Sequence, residues 1–363
     1  MLRAVYPSLI SEIDKACAEN GIETSLLIKR SGKALFNGIR KLFSNYAELK
    51  FLIICGTGNN GKDGIALSKI LISKGISVDV FFYEGDKTSL EYLNKKLDCS
   101  DCVVDCLLGT GYRPGIPEQL KKVFDIINSS NLHVVSCDIP SGVDGETGCI
   151  EDTAVKAYAT ITLCRPKPGL FLYPGRSLCG KIITDDLEIP DEIVNGVVKN
   201  NFVSYVEKSD IVKLPSRKPD SHKGDYGRVG VIAGSKGMTG AGILSANAAM
   251  RAGAGVVHLI VPEELMYIYE ITAVEAVKFP RSDINSVLEY SDKFDSVILG
   301  PGLGRDPEIR DFVQEFLIKS KIARLIIDAD AINALSGNPE ILKKVGAEKI
   351  ITPHDVELSR LTG

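Results

Sequence analysis

Asn59, Asn60 and Asp63 stand inside a glycine-rich stretch, Gly56-Thr-Gly-Asn-Asn-Gly-Lys-Asp-Gly64. Glycine lets a backbone approach a ligand closely, and amide and carboxylate oxygens can bind polar groups or a hard cation. The stretch follows a short apolar run of strand character, Phe51 to Cys55. It precedes Ile65 to Lys74, whose spacing is helical and which stops at Gly75. Such a turn aims unpaired backbone N–H groups and the positive end of a helix at one spot, where anions bind. Gly56, Gly58 and Gly61 also match the dinucleotide pattern G-x-G-x-x-G. Two further segments carry polar groups at the end of an apolar run: Asp105-Cys-Leu-Leu-Gly-Thr-Gly-Tyr-Arg-Pro-Gly115 and Asp138-Ile-Pro-Ser-Gly-Val-Asp144. One such aspartate reads as a turn former; two, at the same sheet edge as the asparagine loop, suggest a shared site. Asn60, Asp105 and Ser141 offer oxygen ligands that suit a hard cation better than zinc. Asp138 is the general acid/base candidate of this half.

The elements that must position these residues alternate along the chain. Residues 8–43 read as two helices. Strands follow at 51–55, 78–83, 102–108, 133–138, 159–164 and 181–185, with helices near 63–74, 88–97, 116–129 and 152–158 between them. Residues 191–220 read as a connector, rich in asparagine, glycine and proline. Strands then recur near 229–233, 256–261, 275–279, 296–299, 324–328 and 348–352. This pattern predicts two α/β domains, 1–208 and 209–363, each with a parallel sheet covered by helices on both faces. Ligands of such sheets sit beyond the carboxyl ends of the strands, where the glycine-rich segments fall.

A chain of 363 residues accommodates two such cores. A formal net charge of −4 gives no reason to expect nucleic acid or an acidic membrane as partner. The first residues lack the apolar core of a secretory signal and no apolar run reaches spanning length, so a cytoplasmic location is expected. Several of the nine cysteines lie in apolar strand-like runs, as small hydrophobes do. The lone Cys99-x-x-Cys102 has no second pair or histidine cluster and reads as structural.

The ordered motifs Gly-x-Gly-Asn-Asn-Gly-x-Asp-Gly, Val-Asp-x-Leu-x-Gly-Thr-Gly and Asp-Ile-Pro-Ser-Gly, with Lys167-Pro-Gly-Leu170 further on, resemble the NAD(P)H-hydrate epimerase domain over residues 8 to 205. That family interconverts the R and S forms of NADH or NADPH hydrated at C6 of the nicotinamide ring. The resemblance implies a Rossmann-like three-layer αβα domain. It implies substrate contacts from Asn59, Asn60, Gly61, Lys62 and Asp63, and from Gly109, Thr110, Gly111, Tyr112, Arg113, Pro114 and Gly115. It puts Asp138 at the reacting ring and potassium on Asn60, Asp105 and Ser141. Two positions depart from the family pattern. Lys62 stands where a second glycine is usual, and Lys29-Arg30 where a glutamate-containing segment is common.

The second half carries Ser221-His-Lys-Gly-Asp-Tyr-Gly227, Gly237-Met-Thr-Gly-Ala-Gly242, Leu299-Gly-Pro-Gly-Leu-Gly304, Ile327-Asp-Ala-Asp-Ala331 and Thr352-Pro-His-Asp355. Taken singly these are turn or packing signals, and a lone histidine such as His354 is more often a cap or a surface group. Together they resemble the ADP- or ATP-dependent NAD(P)H-hydrate dehydratase domain, which is ribokinase-like. By that resemblance Ala241, Gly302 and His354 contact the hydrated cofactor, and Mg2+ acts with ADP or ATP. Over the whole chain the two halves resemble the bifunctional NAD(P)H-hydrate repair enzymes. A homo-oligomer that takes small-molecule substrates is expected. In the dehydratase family a lysine-glycine loop and a Gly-Thr-Gly-Asp segment follow the Thr-Pro-His strand, whereas this sequence stops at Leu361-Thr-Gly363. The expectation is therefore a ribokinase-like domain incomplete at its C-terminus, with dehydration impaired. The alternative is a ribokinase-like small-molecule kinase fused to a non-catalytic Rossmann-like binding module. A dehydrogenase suggested by the glycine pattern alone has no hydride-transfer site in the sequence.

Overall fold

The computed structural model describes residues 2–111, 115–212 and 216–363, and Tyr112, Arg113 and Pro114 lie outside it. The chain forms two compact units, Met1–Lys213 and Leu214–Gly363.

The first unit begins with strand β1 (Leu2–Val5) and helices α1 (Pro7–Glu19) and α2 (Thr24–Leu42). It continues through β2 (Phe51–Cys55), α3 (Asn59–Ser73), β3 (Val78–Phe82), α4 (Leu90–Leu97), β4 (Cys102–Cys106), α5 (Glu118–Ser129), β5 (His133–Cys137), β6 (Ala159–Leu163) and β7 (Lys181–Asp185). Helix α6 (Asp191–Val198) and strand β8 (Phe202–Tyr205) complete it. The six central strands are parallel, in the order β3-β2-β4-β5-β6-β7. Side chains alternate across a strand, and β2 shows it. Phe51, Ile53 and Cys55 pack under α1, α2, α3 and α6, while Leu52 and Ile54 pack under α4 and α5. The chain turns one way from β2 to β3 and the other way to β4, so the switch point lies between β2 and β4.

Two expectations fail here. Residues 152–158 are not helical. The Nδ2 of Asn128 donates to Ala154 O (2.9 Å), its Oδ1 accepts from Lys156 N (2.8 Å), and Val155 N donates to Ser141 O (2.9 Å). Tertiary partners thus satisfy the backbone groups that a helix would have paired. Nor is 191–220 a connector throughout, since α6 packs on α1 and β8 pairs antiparallel with β1.

The second unit contains β9 (Arg228–Ile232), α7 (Thr239–Arg251), β10 (Val256–Val261), α8 (Met266–Thr272), β11 (Val277–Pro280) and α9 (Ile284–Ser291). Then come β12 (Ser296–Leu299), α10 (Pro307–Lys319), β13 (Arg324–Ile327), α11 (Asp330–Asn333), α12 (Ile341–Lys344), β14 (Glu348–Ile351) and α13 (Asp355–Thr362). Its strands are parallel in the order β11-β10-β9-β12-β13-β14. The winding reverses between β9 and β12, as it does between β2 and β4 in the first unit. Val231, Val257 and Leu259 pack against α7 and α8, and Ile232, Leu299 and Ile327 face α9, α10, α11 and α13. Among the described residues no helix is long and apolar enough to cross a membrane.

Candidate functional site

The glycine loop lies at the switch point of the first unit, between the end of β2 and the start of α3. Two of its glycines are dictated by packing. A Cβ on Gly56 would sit 2.0 Å from Leu107 O, and one on Gly61 would sit 2.0 Å from Gly56 O. Gly58 differs, because nothing lies within 4 Å of the Cβ it lacks and its φ of −84° suits any residue. The fold does not require glycine there, whereas a ligand drawn close to the backbone would. The side chains of the first turn of α3 divide between inside and outside: Asn60 and Asp63 are buried, Asn59 and Lys62 exposed. Lys62 Nζ donates back to Asn59 Oδ1 (3.1 Å).

The end of β4 meets this turn. Asn60 Nδ2 donates to Leu108 O (2.7 Å) and to Cys137 O (3.0 Å), tying α3 to the ends of β4 and β5. Gly109 is a close neighbour, since a Cβ there would lie 3.2 Å from the Asn60 side chain. Asp105 is fully buried. Its Oδ1 accepts from Ser141 Oγ (2.6 Å) and Leu107 N (3.2 Å), and its Oδ2 from Ser141 N (3.0 Å) and Ser136 Oγ (2.9 Å). Ser141 Oγ in turn accepts from Leu108 N (2.9 Å). Asn60, Asp105 and Ser141 therefore converge on the Leu107–Leu108 turn. No lysine, arginine or histidine among the described residues pairs with Asp105, and burial raises its carboxyl above the usual range against the pull of those four hydrogen bonds. The groups gathered here are oxygens of one carboxylate, one hydroxyl, one side-chain amide and main-chain carbonyls. A large monovalent cation fits that donor set and would supply the missing positive charge. Among the described residues no group of three or more His, Cys, Asp or Glu could hold a metal, so a carboxylate-rich cage is not the alternative.

Asp138 follows β5 directly, with a left-handed φ of +66°. Its Oδ1 accepts from Leu163 N (3.0 Å) and Thr162 Oγ1 (3.4 Å) and pairs with Lys167 Nζ. Lys167 is 1% exposed, and its ammonium also donates to Leu163 O (2.9 Å) and Thr162 Oγ1 (3.4 Å). All three lysine protons are directed at protein acceptors. Oδ2 of Asp138 has no hydrogen bond from the described residues, so one carboxylate oxygen is held and the other is free for a ligand. Burial, reinforced by the charge of Asp138, pushes the Asp63 carboxyl up to about 7. Burial also raises Asp14 on α1, with Lys167 opposing and Asp138 adding to it. One ammonium thus faces three carboxyls from α1, α3 and the end of β5.

From the sequence Lys167 stood out only as the first residue of the Lys167-Pro-Gly-Leu170 motif, with no role of its own, and Asp14 not at all. The strand-end rule that found Asp105 and Asp138 reaches Lys167 as well, because it follows β6 between two prolines. Asp14 gives no such signal, since only tertiary packing of α1 brings it here. Gly115 is bound through its N–H to both carboxylate oxygens of Glu151 (3.0 and 2.9 Å).

In the second unit Ala241 and Gly302 meet at the corresponding switch point. Gly302, with φ of +64°, has room for no Cβ, which would lie 2.9 Å from that of Ala241. His354 lies beyond β14 and caps α13. Its Nδ1 accepts from Glu357 N (3.4 Å), and Glu357 Oε2 accepts from His354 N (3.1 Å), a reciprocal capping box. Thr352 Oγ1 donates to Asp328 Oδ1 (2.6 Å), while Asp330 accepts from Gly304 N (3.0 Å) and pairs with Arg305 (3.2 Å). Four of the five segments singled out from the sequence thus follow the carboxyl ends of β9, β12, β13 and β14, whereas Ser221 to Gly227 precedes β9 at its amino end.

A family model described as NAD(P)H-hydrate dehydratase matches residues 229–363, and one described as YjeF-related protein N-terminus matches residues 24–98 and 86–169. The bifunctional NAD(P)H-hydrate repair enzyme Nnr of Dictyoglomus turgidum is 34% identical over 377 residues, covering 94% of this chain and 72% of that protein. The protein of the same name from Moorella thermoacetica is 32% identical, covering 98% of this chain and 74% of its own. A solved ADP/ATP-dependent NAD(P)H-hydrate dehydratase from Bacillus subtilis, co-crystallised with ATP and Mg2+, is 27% identical over 41% of this chain and 52% of its own, with a TM-score of 0.34. The expected impairment of the second half is not borne out by these matches. Both halves of the chain, in order, match the two halves of one kind of protein, and the chain belongs to the family of bifunctional NAD(P)H-hydrate repair enzymes.

Proposed function

We propose that the first unit exchanges the R and S forms of NADH or NADPH hydrated at C6, and that the second dehydrates the S form with ADP or ATP and Mg2+. The activities are assigned to residues 1–208 and 209–363. The observation that carries the first assignment is the buried Asp138 carboxylate, with Oδ1 clamped by Lys167 and Leu163 N and Oδ2 without a hydrogen bond from the described residues. C6 of the hydrate bears a hydroxyl next to the ring nitrogen. Exchange breaks its C–O bond as the nitrogen lone pair moves in and the leaving hydroxyl takes up a proton. Water then adds on the other face and gives its proton up, so atoms and charge balance. One carboxyl that donates and one that accepts are enough, and two carboxyls in different environments can divide these roles. Asp63, held near neutrality by burial, supplies the proton, and Asp138 receives one.

Asn59 to Asp63, Gly109 to Gly111 and Gly115 bind the substrate, with Tyr112, Arg113 and Pro114 completing the segment. The amino end of α3 receives the phosphates. Asn60, Asp105 and Ser141 hold potassium, which offsets the buried charge of Asp105. Ala241, Gly302 and His354 contact the hydrate in the second unit. Seven of the nine cysteines are buried free thiols, which fits a reducing compartment such as the cytoplasm. The test is Asp138→Asn. R/S exchange, followed by chromatography of the two epimers, is expected to fall about 10²–10⁴-fold with the circular dichroism spectrum unchanged. An exchange rate equal to that of the unaltered protein removes Asp138 from the reaction.

A further inference from the structure

The two departures from the family pattern, at residues 29–30 and 62, are separated in the sequence but not in space. Helices α2 and α3 cross where a Cβ on Gly32 would lie 2.8 Å from that of Ala66. Beside this crossing runs a groove of about 570 Å³. Ile28, Ile65 and Ile70 give it an apolar floor, and Lys29, Lys62 and Lys69 carry its charge; no acidic side chain lines it. Arg30, the neighbour of Lys29, is explained structurally, since it pairs with Glu188 and donates to Leu187 O and Glu188 O. Lys33, one turn further, also pairs with Glu188. None of the three groove lysines has an ion-pair partner among the described residues, and their one side-chain hydrogen bond there joins Lys62 to Asn59. Three unpaired cations on one groove are a local feature in a chain of net charge −4. They complement an anion that also carries a flat or apolar body.

The position of the groove selects among such anions. Lys62 lies on the first turn of α3 and touches Asn59, so the groove begins at the loop assigned to the phosphates of the substrate. Lys69 lies two turns further along, about 10 Å by helix rise. A dinucleotide with its pyrophosphate at this loop and its nicotinamide at Asp138 must send its adenosine half elsewhere. Adenine is a flat ring that an isoleucine floor can cover. The 2′-phosphate that distinguishes NADPH from NADH is a compact dianion, suited to lysine point charges.

We propose that the α2–α3 groove holds the adenosine half of the hydrated dinucleotide, and that Lys29 and Lys69 recognise its 2′-phosphate, making this chain selective for NADPH hydrate over NADH hydrate. This rests on the epimerase reading of the first unit, and the experiment has one arm that does not. In that arm the full chain is titrated calorimetrically with adenosine 2′,5′-bisphosphate and with adenosine 5′-phosphate. The bisphosphate is expected to bind about tenfold more tightly, with the ratio falling to near one in the Lys29→Ala/Lys69→Ala double variant. Both lysines are exposed, so the fold tolerates the change. Equal affinities in the unaltered chain, or a ratio that survives the double substitution, overturn the proposal. So does loss of self-association in the double variant with both nucleotide affinities unchanged, which would assign the groove to a second copy of the chain. In the other arm epimer exchange is measured on both hydrates. The double variant is expected to raise KM for NADPH hydrate alone and to leave both kcat values in place, whereas an equal rise for both hydrates, or none, overturns the proposal. If the unaltered chain exchanges neither hydrate, the epimerase reading fails, and the nucleotide titration still decides what the groove recognises.

Discussion

Asp138 occupies a backbone region that asparagine and aspartate tolerate better than most residues, with φ of +66°. Asparagine at this position keeps the backbone and an oxygen for Lys167 and Leu163 N, but loses the charge. That makes Asp138→Asn a test of chemistry rather than of folding. Asp63 permits a test of a different kind. Its carboxyl is raised from 3.8 to about 7 by burial and the charge of Asp138. The folded protein therefore binds its proton more tightly than the unfolded chain does. The stability this gives is complete below pH 3.8, declines as pH rises and is gone above about 7. Asp63→Asn is expected to flatten this part of the fall and to be the more stable protein at neutral pH. The gain is on the order of a few kcal/mol, because each tenfold difference in proton affinity between folded and unfolded chain is worth about 1.4 kcal/mol. Asp14 and Asp105 shift in the same direction, so the comparison is between urea midpoints of the two proteins across pH. Parallel curves would mean that Asp63 is not held neutral. The sequence pointed to Asp105 and Asp138 because each ends an apolar run. It gave no prominence to Lys167, whose meaning lies in its burial against Asp138, or to Asp14, which only the packing of α1 brings to the site.

Among the elements, the loop between β2 and α3 shows how one glycine pattern serves two purposes. Gly56 and Gly61 allow the backbone to close on itself and on Leu107, and Gly58 is under no such constraint. Gly61→Ala is expected to destabilise the protein by about 1–3 kcal/mol through overpacking. Gly58→Ala is expected to leave the melting temperature nearly unchanged and to raise KM for the hydrate. Melting curves and exchange kinetics on both variants check this, and equal loss of stability would show that Gly58 too is structural. The parallel strands were legible because they are short apolar runs bounded by glycine or aspartate. The β1–β8 pair was not. It joins four-residue strands from distant parts of the chain, and β8 is largely exposed, so neither periodicity nor hydrophobicity marks it. Residues 152–158 misled for the opposite reason: Ala154, Val155 and Ala157 are buried, but Asn128, Ser141 and Leu178, not a helix, bond their backbone.

For the whole molecule, both units obey the same rule of winding, with glycine segments meeting where the strand order reverses. Only the first has a fully buried carboxylate without a cationic partner among the described residues, Asp105. An ion that binds the folded chain and not the unfolded one stabilises it by mass action. Potassium is expected to raise the melting temperature more than an equal concentration of a bulky organic cation does, and Asp105→Ala to abolish the difference. If both salts act alike on the unaltered protein, the site holds no ion. The alternation of elements is what divides the sequence into two α/β segments, and the chain forms two compact units. The partners of Asn60 were not readable in this way, because Leu108 O and Cys137 O are main-chain groups that no side-chain motif records.

The sulfur atoms of Cys55 and Cys106 lie directly beneath α3, each 2.9 Å from where Gly64 would carry a Cβ. Burial pushes the thiols of Cys164 and Cys179 up to about 11 and that of Cys102 up to about 12, and it raises Cys55 further. Thiols of this kind do not meet an alkylating reagent as thiolates while the fold is intact. Cys99 and Cys149 are exposed, and the other seven are buried. In iodoacetamide the native chain should therefore gain two adducts quickly and the remainder only when its sheet opens. The slow phase, read by mass spectrometry, becomes an internal clock for opening of the first unit, where all nine cysteines reside, and the two fast positions are handles for attaching a dye without disturbing the strand ends.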